Sequence, residues 1–103
     1  MSLIVNKVKE EIRETVLSAA GRCVAKGEFP AEPLPDFNIE VPADRSHGDY
    51  AVNAAMVWAR ALKKAPRMIA EQLANEITPT GYISRVEIAG PGFINFFLDD
   101  KYY

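Results

Sequence analysis

Phe93, Asn95 and Phe97 occupy alternate positions in an extended run, Phe93-Ile94-Asn95-Phe96-Phe97-Leu98, that follows the backbone break Gly90-Pro91-Gly92. Side chains of a strand alternate between faces, so these three share one side while Ile94, Phe96 and Leu98 share the other. The all-apolar side reads as core. The other side carries a primary amide between two aromatic rings. Such rings can stack an unpaired base, and an amide that both donates and accepts can hydrogen-bond the base edge. Packing alone explains the pattern poorly, because a purely structural strand presents Thr, Lys or Glu to water. The competing account packs Phe93 and Phe97 under the proline-rich connector that precedes Phe37 and lets Asn95 satisfy a loop backbone group.

Elsewhere, residues able to do chemistry are sparse. His47-Gly48-Asp49 sets an imidazole two residues from a carboxylate, but the chain has one histidine, so no multi-histidine metal site can be assembled from it. No Ser-His-Asp or Cys-His order has a partner set either. The structural alternative is that Gly48 allows a turn, Asp49 caps the next helix and His47 hydrogen-bonds within the loop. A small hydrolase using His47 and Asp49 stands as a third functional hypothesis. The basic trio Lys63, Lys64 and Arg67 could meet phosphates, but a solvated charge run is the preferred reading. Gly90 and Gly92 bracket a proline in a hairpin turn instead of opening a helix, so no glycine-rich phosphate cradle is present. The sequence shows no catalytic, cofactor-binding or metal-binding apparatus. The single Cys23 excludes an internal disulfide and any multi-cysteine cluster, and reads as a small buried residue on a helix.

Length and composition set the frame for these residues. The 103 residues are enough for one domain with one core, and 49% apolar with 25% charged is ordinary globular composition. A net charge of −2 and an isoelectric point near 5.4 oppose a free-standing, non-specific nucleic-acid binder, whose affinity would come from Lys and Arg neutralising phosphates. A nucleic-acid role must therefore be local, a few base or sugar contacts from one surface. No apolar run approaches the ~20 residues of a membrane span, and the first residues lack a signal-peptide core, so the expected location is the cytoplasm with no membrane partner.

The elements that must position the Phe-Asn-Phe face follow from periodicity. Ile4, Val8, Ile12, Val16, Ala20 and Val24 recur every four residues and predict a long amphipathic helix stopped by Gly27. Glu28 to Pro35 holds three prolines and predicts a connector, with Phe29 and Leu34 tucked onto the fold. Phe37 to Val41 alternates, predicting a strand with Phe37, Ile39 and Val41 inward and Pro42 as its end. A surface loop to Asp49 is expected next, then a helix from Tyr50 to Leu62, then a second helix from Pro66 to about Ile77. Tyr82 to Ile88 and Phe93 to Leu98 predict a hairpin of antiparallel strands. The expected fold class is α+β, a small and mainly antiparallel sheet with helices on one face, in the order α-β-α-α-β-β. Helices cover one side, so the Phe93, Asn95, Phe97 side should meet water or a partner.

Three blocks, Asp44-Arg45-Ser46-His47-Gly48-Asp49-Tyr50-Ala51-Val52-Asn53, Lys63-Lys64-Ala65-Pro66-Arg67-Met68-Ile69-Ala70 and Ile88-Ala89-Gly90-Pro91-Gly92-Phe93-Ile94-Asn95-Phe96-Phe97-Leu98, together resemble the N-terminal additional domain of arginyl-tRNA synthetase. The likeness covers essentially the whole chain. It implies a single domain over residues 1–103 that precedes a class I, Rossmann-type catalytic domain of the same polypeptide, in a cytoplasmic ligase joining arginine to tRNA with ATP and magnesium. It also implies that this domain docks on the tRNA elbow and reads the D-loop. Carried over by position, Phe93 and Asn95 would approach a D-loop base, with Phe97, Leu98 and Asp100 as further tRNA-binding candidates. Leu98 falls on the core side by parity, unlike the other strand candidates. The His-x-Gly-His and Lys-Met-Ser-Lys ATP-site signatures occur nowhere in these residues. The expectation is thus a fragment that by itself needs no cofactor and performs no aminoacylation. The rival expectation is a structural or protein-interaction module whose aromatic face is covered by the neighbouring catalytic domain.

Overall fold

A computed structural model describes residues 2–30, 34–42, 48–77 and 83–98, with side chains from Lys7 onward. Along the chain run α1 (Ser2–Ala25), β1 (Ile39–Glu40), β2 (Tyr50–Val52), α2 (Ala54–Leu62), α3 (Pro66–Asn75), β3 (Ile83–Ala89) and β4 (Phe93–Leu98). The four strands form one antiparallel sheet in the order β1-β2-β4-β3. The class is α+β, with the helices on one face.

The helical periodicity of α1 becomes burial: Val8, Ile12, Val16, Ala19, Ala20 and Cys23 form its inner stripe. The helix ends at Gly27 as expected. The Glu28 amide donates to the Cys23 carbonyl at 2.9 Å and the Gly27 amide to Val24 at 3.0 Å, the paired bonds of a glycine-terminated helix. Phe29 is buried and Leu34 packs against the core, which ties down the connector at both ends. The Trp58 indole donates to the Pro35 carbonyl at 2.7 Å, and Phe37 meets the Trp58 ring edge-on at 5.5 Å. Beneath the sheet, Trp58, Ile69 and Leu73 from the helices meet Val52, Ile94 and Phe96, all fully buried. Glu76, just past α3, accepts from Lys26 and faces Arg22 at 3.6 Å, linking the C-terminal ends of α1 and α3. Among the described residues no helix is long and apolar enough to cross a membrane.

Two expectations change. Tyr50–Val52 is a strand and not the opening of a helix, because these residues pair on both sides: Tyr50 opposite Phe96, Ala51 opposite Asn95, Val52 opposite Ile94, and Val52 again opposite Ile39. Ladder bonds and full burial of the triplet override the helical tendency of the alanine-rich sequence that follows. The helix begins only after Asn53, whose side-chain oxygen accepts from the Asn38 amide at 2.7 Å and so clips β1 to the start of α2. Val41, expected inward, is 58% exposed. The β1 ladder stops at Glu40, and with Pro42 unable to donate, nothing holds Val41 against the core.

Candidate nucleic-acid interface

Register fixes the outer face of the sheet. Glu40, Ala51, Asn95 and Glu87 form one row across all four strands, with Phe93 beside Ala89 and Phe97 beside Arg85. Ile94 and Phe96 point the opposite way and are fully buried, so the alternation read from the sequence holds. Asn95, however, is not wet. Its exposure is 4%, the one buried polar residue among the described positions.

Gly48 accounts for much of that burial. Its backbone, at φ +99°, runs so close above β4 that a Cβ there would lie 2.9 Å from the Phe96 carbonyl oxygen, 3.4 Å from the Phe97 ring and 3.5 Å from Asn95 Cβ. Only glycine fits that approach in that conformation. Asp49 then continues the line of β2: its amide donates to the Phe96 carbonyl at 2.9 Å and its carboxylate accepts from the Leu98 amide at 2.8 Å. Asp49 therefore clamps β4; it does not cap α2, whose cap position is Asn53.

Beside Gly48 the face opens into a cavity of about 500 Å³. Val41, Pro42, Pro91 and Phe93 line it, Glu40 adds a carboxylate, and the buried Ala51 and Asn95 form its floor. Ala51 matters because a larger side chain opposite Asn95 would fill this space. Among the described residues the Asn95 amide has no hydrogen-bond partner, while its polar end is not sealed from the cavity. One donor group and one acceptor thus sit at the base of an apolar pocket whose volume is in the range, about 300–1,000 Å³, that takes small organic groups.

The other sequence candidates separate. Phe93 is a half-buried cavity wall. Phe97, also half-buried, lies outside the cavity with the Arg85 guanidinium 4.1 Å above its ring centroid, and Arg85 in turn faces Glu87 at 3.4 Å. Leu98 packs against the core and offers the interface only its backbone amide, which Asp49 holds. Asp100 and His47 lie outside the described residues. The basic trio does not gather. Lys64 donates to the Glu28 carbonyl and to Gln72 at 3.1 Å, whereas Arg67 donates to the Gly90 carbonyl at 2.9 Å, and Lys63 ends α2 in a left-handed conformation. Burial, and secondarily Glu28, pushes the Cys23 thiol up to about 11, in keeping with a packed and unreactive side chain. No cluster of three or more His, Cys, Asp or Glu side chains able to hold a metal ion occurs among the described residues.

Sequence reasoning missed the Gly48–Asp49 clamp and the Ala51 floor. The signal was present in Tyr50-Ala51-Val52, a short alternation hidden at the front of an alanine-rich helix.

The family model described as Arginyl tRNA synthetase N terminal domain matches residues 4–98. The chain is 47% identical over 103 residues to an arginine–tRNA ligase of Caldanaerobacter subterraneus subsp. tengcongensis, covering 99% of this chain and 18% of that protein. It is 46% identical over 100 residues to the arginine–tRNA ligase of Geobacillus kaustophilus, covering 96% of this chain and 17% of the relative. The chain thus spans under a fifth of the length of these relatives. The crystal structure of arginyl-tRNA synthetase from Plasmodium falciparum superposes with a TM-score of 0.69 at 20% identity, over 92% of this chain and 16% of that one, a likeness of fold.

Proposed function

The chain belongs to the arginyl-tRNA synthetase N-terminal domain family, and from that premise we propose that it is the tRNA-recognition part of an arginine–tRNA ligase, reading an unstacked D-loop base at the tRNA elbow. The observation that carries this is Asn95, a buried residue whose amide opens onto the base of an apolar cavity beside Phe93. Facing the cavity, that amide can donate to and accept from a base edge at once. Phe93 supplies a stacking surface, worth ~1–3 kcal/mol per base and tolerant of base identity, while the paired donor and acceptor of Asn95 supply selection. Phe97 extends the candidate surface along the same strand, and Asp100 stays a candidate by its place in the sequence motif alone; Leu98 contributes by holding the strand in place.

The acidic balance of the chain fits a role limited to a few contacts, with most phosphate binding made by the rest of the enzyme. Arginine attachment in the cytoplasm, with ATP and magnesium, belongs to the catalytic part of the polypeptide; the described side chains here offer no cluster for the metal.

The test is Asn95→Ala in the full-length ligase. The Michaelis constant for tRNA should rise about 5- to 30-fold, corresponding to ~1–2 kcal/mol, with kcat at saturating tRNA within twofold of the parent. The unfolding midpoint should not fall appreciably, since no hydrogen bond within the fold is lost. An unchanged Michaelis constant, or a loss confined to kcat, would sink the proposal. A second occupant is suggested by Val41, exposed beside the cavity: a side chain of the neighbouring catalytic domain. Chemical-shift changes at Phe93 and Asn95 on adding that domain, and none on adding tRNA, would decide for it.

A further inference from the structure

Glu40, Glu87 and Arg85 are the charged side chains at the described strand positions of the outer face, so this surface carries two carboxylates and one cation. Glu40 lines the cavity and Glu87 stands opposite Asn95 on the neighbouring strand, so both carboxylates would repel a phosphodiester brought there. Arg85 stands ~7 Å further along from the Asn95 row, two residues at ~3.3 Å each. Resting on the function proposed above, we infer that Arg85 is a further RNA contact, which anchors the phosphodiester next to the base held by Phe93 and Asn95.

Three features suit Arg85 to this. Its side chain is 60% exposed although the guanidinium lies 4.1 Å from the Phe97 ring centroid, so it is ordered on one side and open on the other. Its ion pair with Glu87 is long, 3.4 Å, and leaves most of the five guanidinium donors unused. Exposed pairs of this kind hold by about 0.2–1 kcal/mol, so a phosphate, which matches the fork of the guanidinium with two parallel bonds, can displace Glu87. Phe97 thereby gains a role different from that of Phe93, as the platform that holds the cation in place and not as a surface for a base.

Salt dependence separates a phosphate contact from every other role. Binding of the full-length ligase to its tRNA is measured between 50 and 200 mM salt for the parent, Arg85→Gln, Arg85→Lys and Asn95→Ala. In Arg85→Gln the slope of log affinity against log salt should become shallower by about 0.7–0.9, the loss of one phosphate contact. Arg85→Lys should keep the parental slope. Asn95→Ala should weaken binding at every salt concentration without changing the slope. A parental slope in Arg85→Gln overturns the assignment of Arg85 whatever happens to the affinity, and leaves the base cavity standing if Asn95→Ala still weakens binding. Parental affinity in Asn95→Ala overturns the cavity itself and the anchor built upon it.

Discussion

The Asp49 carboxylate accepts a hydrogen bond from the Leu98 backbone amide at 2.8 Å, while the Asp49 amide donates to the Phe96 carbonyl at 2.9 Å. One residue therefore extends the pairing of β4 beyond the end of β2, using its side chain where the ladder has no more backbone to offer. Replacing it with alanine strips the Leu98 amide of its acceptor, at a cost of about 1–3 kcal/mol for a partly buried group. Asn in its place keeps an oxygen acceptor and should lose less. Thermal unfolding of the two variants should rank them parent, Asp49→Asn, Asp49→Ala; an alanine variant as stable as the parent would contradict the clamp.

Gly48→Ala tests the close approach over β4. The new methyl would lie 2.9 Å from a backbone oxygen and sit on a residue at φ +99°, and strained positions of this kind cost about 1–3 kcal/mol before any clash is added. At about 4–8 °C per kcal/mol for a domain of this size, the midpoint should drop by several degrees or more. The same shift would move Asn95, so in the full-length enzyme the Michaelis constant for tRNA should rise as well. A variant matching the parent in both measurements would remove Gly48 as the lid over Asn95.

Cys23 gives a prediction in pH. Burial raises its thiol from 9.0 to about 11. Between those values the folded chain keeps a proton that the unfolded chain releases, so this contribution to stability is complete below pH 9 and is lost as pH rises through 11. At pH 8 the thiolate fraction is about 100-fold below that of a free thiol, and alkylation should be slower by at least that factor until the chain unfolds. Rapid labelling of the native protein at pH 8 would show that Cys23 is not packed as described.

Much of this surface could be read from the sequence because a strand has a period of two: once Ile94 and Phe96 are assigned to the core, Phe93, Asn95 and Phe97 must oppose them. α1 and α3 were equally legible, since each carries a continuous apolar stripe and Gly27 and Pro66 mark their limits, whereas α2 starts at Ala54, four residues after the expected Tyr50. What parity cannot reveal is which segment lies over a face. The burial of Asn95 depends on Gly48, 47 residues earlier in the chain, and on a three-residue strand too short to register as a pattern against the helix behind it. Charge composition failed in the same way for the basic trio. Lys63, Lys64 and Arg67 are neighbours in sequence, but a left-handed turn at Lys63 sends Lys64 to the α1 end and Arg67 to the hairpin. Arg85, set apart in a strand between serine and valine, had no cluster to announce it.

Trp58 is the lone tryptophan of these 103 residues, fully enclosed, with its indole N–H on the Pro35 carbonyl and the Phe37 edge against its ring. It lies under the sheet, whereas the cavity opens above it. Its fluorescence consequently offers an optical gauge of whether the proline-rich segment is seated, one that should stay silent when RNA occupies the opposite side. In the isolated domain, a lesion that loosens the scaffold will change the emission colour, and one that only spoils recognition will not.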